Sequence, residues 1–254
     1  MSRREQRVGG ARASTAMSTV AAICAAVALL AGCSAAPLAD APAATPAELV
    51  EQVAAAGGDA DPVGLAEAAA DVLDGIAIAP RTEWDGRFDR VGSFGDGWGD
   101  PDGNGCDARN DALQQALAHA ELLADGCRVA SGVLDDPYTG ETIAFERGPR
   151  TSEHVQIDHV VALYNAWRTG AQDLAYEERV AFANDPLNLQ PTAGWANDDK
   201  QASDASQWLP PDEDYHCTYV SRQIAVKATY GLWVTQSEHD AMHGVLAACR
   251  EAVP

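Results

Sequence analysis

Apolar residues recur at helical spacing along much of the chain and cluster at strand spacing in two short stretches. From Asp107 to Ala124, Leu113, Leu117, Ala120 and Ala124 form one stripe, which predicts a helix. Residues 153–163 are rich in Val and Ile around a polar centre and predict an extended segment. A short helix is expected over 176–183. Asn184-Asp185-Pro186 should end it, because the residue before a proline is pushed out of helical geometry. Asn188-Leu189-Gln190 suits a brief strand. Two helices, about 216–230 and 236–250, follow. The second opens with Thr235 and Glu238 at capping-box spacing and turns Met242, Val245, Leu246 and Cys249 to one side. Helices with a few short strands argue the α+β class.

Upstream the pattern is different. Arg3, Arg4, Arg7 and Arg12 precede a small-residue apolar stretch from about Val20 to Leu30. That stretch falls short of the roughly 20 apolar residues that span a bilayer. It ends Leu30-Ala31-Gly32-Cys33, which resembles the lipobox of bacterial lipoproteins. The resemblance implies a signal peptide over residues 1–32 and lipidation of Cys33. The protein would then be exported and held on the outer face of the cell membrane by its lipid alone. With an ordinary signal peptide it would be secreted instead. Met17 is an alternative start that changes neither reading. Residues 33–64, rich in Ala and Pro and then in Ala with a Gly-Gly break, read as a tether with at most frayed helix. The folded domain is expected over 65–254, with a real core and no obligate protein partner.

Export bears on the cysteines. Once Cys24 and Cys33 are set aside, Cys106, Cys127, Cys217 and Cys249 remain, an even number in an oxidising compartment. Three pairings are open; the two local bridges, Cys106–Cys127 and Cys217–Cys249, each clamp a helical unit. A zinc cluster is disfavoured because no Cys-x-x-Cys pair occurs. The formal charge is −21, and loss of residues 1–32 with their net +3 leaves −24. A chain this acidic repels polyanions at long range.

The chemistry concentrates in Asp158-His159, then Asn188-Leu189, then Asn197-Asp198-Asp199-Lys200. Phosphodiester hydrolysis needs a base to make hydroxide and a cation to neutralise developing charge. A carboxylate and an amide carbonyl, with room for water and phosphate, suit Mg2+ or Mn2+ better than a closed zinc site. The ordered set Asp-His, Asn-Leu, Asn-x-x-Lys resembles the HNH superfamily, whose core is a ββα-metal (His-Me finger) fold. Further segments widen the match: Gly105-Cys106-Asp107-Ala108-Arg109-Asn110, Asp136-Pro137-Tyr138-Thr139-Gly140, Ala166-Trp167-Arg168-Thr169-Gly170-Ala171, Phe182-Ala183-Asn184-Asp185, Trp208-Leu209-Pro210-Pro211 and Tyr215-His216-Cys217-Thr218-Tyr219. From about residue 70 onward the chain resembles secreted HNH-family proteins related to the C-terminal domain of Gmr-type modification-dependent restriction enzymes.

That resemblance implies an α+β domain, mainly helical around a ββα-metal core, that cuts nucleic acid, DNA in preference to RNA. It makes His159 the general base and Asn188 the residue that holds its ring. Asp158 and Asn197 become ligands of one divalent cation, with Asp198 an alternative to Asn197. Arg109, Arg168, Lys200 and Lys227 are candidate phosphate contacts. The alternative is a catalytically weak surface protein that binds or builds with an inherited fold.

Two other patterns need weighing. His239-Asp240-Ala241-Met242-His243 echoes the H-E-x-x-H of zinc proteases, but aspartate stands for the glutamate base and no third ligand follows. Asp100, Asp102, Asn104 and Asp111 have the spacing of a calcium loop, closed by aspartate in place of glutamate. The alternative there is an acidic turn ahead of a helix, which the helix dipole favours by itself.

Overall fold

The computed structural model describes residues 42–56, 61–83 and 86–251. The expectations placed on the signal peptide and on Cys33 lie outside them. Helix α1 (Pro46–Ala55) begins at a capping box of Thr45 with Glu48, and α2 (Pro62–Asp74) at the cap Asp61. After the short α3 (Arg90–Phe94) comes α4 (Ala108–Ala116), then an antiparallel sheet of β1 (Leu117–Leu122), β2 (Val129–Asp135) and β3 (Thr142–Glu146) in that order. Strand β4 (Val155–His159) follows, then α5 (Leu163–Arg168) and α6 (Tyr176–Asn184). Strand β5 (Leu189–Ala193) returns antiparallel to β4, pairing Asp158 with Gln190 and His159 with Leu189. Helix α7 (Gly194–Lys200) starts at once, and α8 (His216–Thr229) and α9 (Gln236–Glu251) complete the α+β fold.

The helix expected over 107–124 is half as long. It stops at Ala116, and the chain passes into β1, whose Leu117 and Ala118 pair with Leu134 and Val133. The apolar spacing suits either state, and pairing with β2 overrides the local preference. The strand is irregular, with register shifts around Glu121 and a positive φ of 53° at His119.

Part of the segment expected to be a tether is packed helix. Leu49 and Val53 of α1 are buried with Leu65 and Leu73 of α2 against Val220, Ile224, Met242 and Leu246 of α8 and α9. Ala-rich sequence forms real helix here because it has a packing partner; without one such segments are marginal. The compact unit therefore begins at Pro42, well before Leu65.

Two disulfides are present. Cys106–Cys127 ties the approach to α4 to the β1–β2 connection, and Cys217–Cys249 joins α8 to α9, with Cα separations of 5.2 and 6.0 Å.

Three apolar clusters fix β4 and the two residues after it. Val155 is buried with Leu113, Val129 and Phe145. Val160 joins the helical layer, and Val161 joins Phe94, Leu163 and Phe182. Asp158 and His159 therefore sit between side chains locked on different sides, which gives them little freedom to move.

The β5–α7 junction is equally tight. Gly194 donates its N–H to the His154 carbonyl at 2.9 Å, and a Cβ at Gly194 would lie 2.1 Å from the Glu153 carbonyl oxygen. Gly194→Ala should cost about 1–3 kcal/mol, the usual range for overpacking. Thermal melting measures this, and an unchanged melting temperature would mean the junction yields freely.

Candidate active site around His159

Successive strand residues point to opposite faces, so the neighbours Asp158 and His159 meet different surroundings. The His159 ring lines a cavity of about 250 Å³ with Arg90, Trp98, Leu163 and Ala183. Its Nε2 lies 2.8 Å from the Ala183 carbonyl oxygen. A carbonyl can only accept, so Nε2 carries the proton and Nδ1 keeps its lone pair. Trp98 stacks on the ring at 5.6 Å between centroids and 7° between planes. Burial holds the His159 pKa down at about 3, against the opposing pull of the Ala183 carbonyl and with help from the positive charges of Arg90 and Lys200. The imidazole is therefore neutral at physiological pH.

Trp98 and Arg90 were not foreseen from sequence. Trp98 is carried by a loop anchored by Asn184, whose Oδ1 accepts the Gly99 N–H at 2.7 Å and whose Nδ2 donates to the Val180 carbonyl at 2.9 Å. Gly95, with φ of 92°, makes the turn into that loop in a region L side chains avoid. The only signal was the glycine density around Trp98. The Phe182-Ala183-Asn184-Asp185 segment is thus explained twice over, since Ala183 takes the His159 ring and Asn184 holds the tryptophan against it.

Asn188 does not touch the ring. It is fully buried, accepts the Val161 N–H at 2.8 Å through Oδ1, and donates through Nδ2 to the carbonyls of Val161 and Phe182. Its own carbonyl accepts from Val160 N–H at 2.9 Å. The expectation of a ring bond is corrected to a clamp on the backbone just beyond His159.

On the other face, Asp158 is 3% exposed. Its Oδ1 accepts from the Lys200 ammonium at 2.9 Å and its Oδ2 from the Tyr138 hydroxyl at 2.7 Å. Lys200 also donates to the His159 carbonyl at 2.9 Å. Burial raises the Asp158 pKa, opposed chiefly by Lys200 and then by Tyr138. Asp136 supports this arrangement from below. It accepts from the Thr192 hydroxyl at 2.8 Å and the Ala193 N–H at 3.1 Å, and so ties the turn bearing Tyr138 to β5.

A divalent cation shared by Asp158 and Asn197 does not fit this arrangement. Both Asp158 oxygens are engaged, one by a full positive charge, and Asn197 donates its amide to Gln156 at 2.7 Å. Asp198, the alternative ligand, is exposed and accepts from Gln156 at 3.4 Å. Neither Asn188 nor Asn197 lines the His159 cavity. Among the described residues no group of three or more His, Cys, Asp and Glu side chains is arranged to hold a metal ion.

Two of the four candidate phosphate contacts, Lys200 and Lys227, are corrected. Lys200 and Lys227 are both 0% exposed, and Lys227 is paired with Glu238 at 2.7 Å. Neither ammonium can reach a nucleic acid in this conformation. Arg109 is half-buried beside Arg147 and away from His159. Arg168 is half-buried and lines a second cavity. In the acidic loop, Asn104 gathers the carboxylates. Its N–H donates to Asp100 and Asp102, and its Nδ2 to Asp102 and Asp111, at 3.1–3.2 Å. These bonds help to close the turn ahead of α4.

Comparison with known proteins follows the same residues. The family model for the C-terminal domain of GmrSD restriction endonucleases matches residues 107–245, more than half of the chain. The chain belongs to that family, a nuclease family that acts on nucleic acid. It is also 35% identical over 147 residues to an "Uncharacterized secreted protein" of Arthroderma benhamiae (strain ATCC MYA-4681 / CBS 112371), covering 57% of this chain and 68% of that one. No solved structure matches. Among the described residues no helix is long and apolar enough to cross a membrane.

Proposed function

We propose that the protein is an endonuclease that hydrolyses phosphodiester bonds, in DNA before RNA, with His159 as general base. The observation that carries this reading is the neutral His159 ring, anchored through Nε2 on the Ala183 carbonyl beside a cavity that also holds a guanidinium. Nδ1 of His159 takes a proton from water as the water oxygen bonds to phosphorus. The ester P–O bond breaks, its electron pair stays on the leaving oxygen, and solvent protonates that oxygen. The Arg90 charge offsets the negative charge that develops on the phosphate. The order β4, β5, α7, with Asp158-His159 ending the first strand, supports an HNH-type ββα reading.

The Mg2+ or Mn2+ implied by the resemblance does not fit the residues present, because Lys200 already neutralises Asp158. That same observation favours a second reading, a catalytically weak surface protein that keeps the fold. Incubation with supercoiled plasmid and with RNA, in Mg2+, in Mn2+ and in chelator, separates the two. Nicked plasmid is the expected product, and failure to cut either polymer in every arm would sink the nuclease reading. A loss of cutting in chelator would show that a divalent cation takes part in cutting.

The pH profile offers another check. His159 must be neutral to act, and its lowered pKa of about 3 keeps it so above that pH. The acid limb of kcat/KM, which reports the free enzyme, should lie well below the ordinary histidine value of about 6.5. A limb at that ordinary value would mean the ring is solvated.

Export, with lipidation at Cys33, is part of the same proposal. The two disulfides support an oxidising compartment, and the related protein named as secreted points the same way.

A further inference from the structure

Helix α5 borders two cavities. Leu163 lines the one at His159, whereas Asn165 and Arg168 line another of about 210 Å³ with Arg81, Ser203 and Gln207. Asn165 is only 4% exposed, yet neither its Oδ1 nor its Nδ2 has a hydrogen-bond partner among the described residues. Buried amides are rarely left so unless a ligand or ordered water completes them. The Nε of Arg81 is likewise buried and unpartnered.

The charges are informative. Arg81 is balanced by the buried Asp204, with Nη2 at 2.5 Å from its carboxylate and 2.9 Å from Gln207. Arg168 has no such balance. Its Nε donates to the Thr82 carbonyl at 3.0 Å, its guanidinium lies 5.9 Å from the centre of the Tyr164 ring, and no carboxylate pairs with it among the described residues. The cavity thus offers one net positive charge and several unused N–H donors within an otherwise acidic chain. A phosphodiester carries one negative charge and only acceptor oxygens. The free Oδ1 of Asn165 asks for a donor, which the hydroxyl or amino group of an adjoining nucleoside supplies and bare phosphate ester oxygens do not.

We propose that this cavity binds a phosphodiester of a nucleic-acid strand, other than the one presented to His159, through Arg168, Arg81 and Asn165. The identity of the strand rests on the nuclease reading; the anion site rests on the cavity itself. Arg168 is then a binding residue, and Asn165 reads the neighbouring nucleoside.

The test is calorimetric titration of the full chain with a DNA tetranucleotide lacking terminal phosphates, and separately with inorganic phosphate. Wild type is compared with Arg168→Gln and Asn165→Asp. The second variant is isosteric, breaks no bond and places a negative charge in the cavity, so a matching melting temperature keeps it interpretable. Tetranucleotide affinity should fall about tenfold in Arg168→Gln, the scale of one charge-assisted hydrogen bond, and further in Asn165→Asp. Affinity unchanged in both would mean the cavity holds only water, and the proposal is wrong. Dependence seen for inorganic phosphate alone would make it a free-phosphate site and equally overturn the strand assignment. A cleavage assay alongside distinguishes the two readings. Variant-sensitive tetranucleotide binding without cutting upholds this site and removes the nuclease, and cutting without variant-sensitive binding does the reverse.

Discussion

His159→Ala is expected to slow phosphodiester cleavage by about 10²–10⁴-fold, the usual loss with a general base. Among the side chains that line its cavity, the ring alone offers a basic lone pair in a fixed direction, since the Ala183 carbonyl claims the other nitrogen. A merely structural histidine would also lower activity if its loss loosened the Trp98 loop, so rate alone is insufficient. Removing the ring enlarges a cavity that is already about 250 Å³. Added imidazole should enter it and restore part of the rate, with no effect on wild type. If the rescued rate follows the basicity of substituted imidazoles of similar size, a proton is transferred at the vacated position. A His159→Ala protein that cuts at the wild-type rate would leave the cavity without a catalytic role.

Lys200→Ala is the second large effect, and it falls on stability. Removing one partner of a buried ion pair leaves the other charge uncompensated, at a cost of about 3–5 kcal/mol. For a domain of this size that corresponds to roughly 6–20 °C in melting temperature. The pH dependence has a definite sign. Burial already raises the Asp158 pKa, and losing Lys200 raises it further. A raised carboxyl favours the folded state below its unfolded pKa and loses that contribution as pH rises through the folded value. The deficit of the variant should therefore shrink in acid and widen towards neutrality. Adding Asp158→Asn should recover part of the loss by removing the stranded charge. If Lys200 were a phosphate contact, the variant would melt like wild type and instead lower the salt slope of DNA binding by about one unit.

The sequence was most legible where a local pattern and its packing agree. Thr235 and Glu238 cap α9 with mutual bonds of 3.2 and 3.4 Å, and Met242, Leu246 and Cys249 are buried along one side of it. Asp158-His159 lie at the end of an extended segment, as the Val- and Ile-rich run suggested. Where the reading failed, a distant partner made the decision. Leu117 satisfies a helical stripe as well as a strand, and only β2 selects between them. Lys200 and Lys227 looked like surface cations because sequence does not reveal that Asp158 and Glu238 wait for them in the interior. The Trp98 stack on His159 depends on the bond between Gly99 and Asn184, 85 positions apart, which no local pattern announces.

The main helical layer has a consequence for how the chain comes to be folded. Most of its inner surface comes from α1 and α2 and from α8 and α9, the two extremes of the described fold. Nothing synthesised early can bury Leu49, Leu65 or Leu73 until α8 and α9 exist. Contacts between such distant segments close slowly, because loop entropy must be overcome before they stabilise anything. A growing chain therefore remains without its principal core until α8 and α9 have been made, and a Cys217–Cys249 bridge can form only after that. Until then the segments ahead of α8 stay open, the condition in which a polypeptide can be threaded through a membrane before it folds.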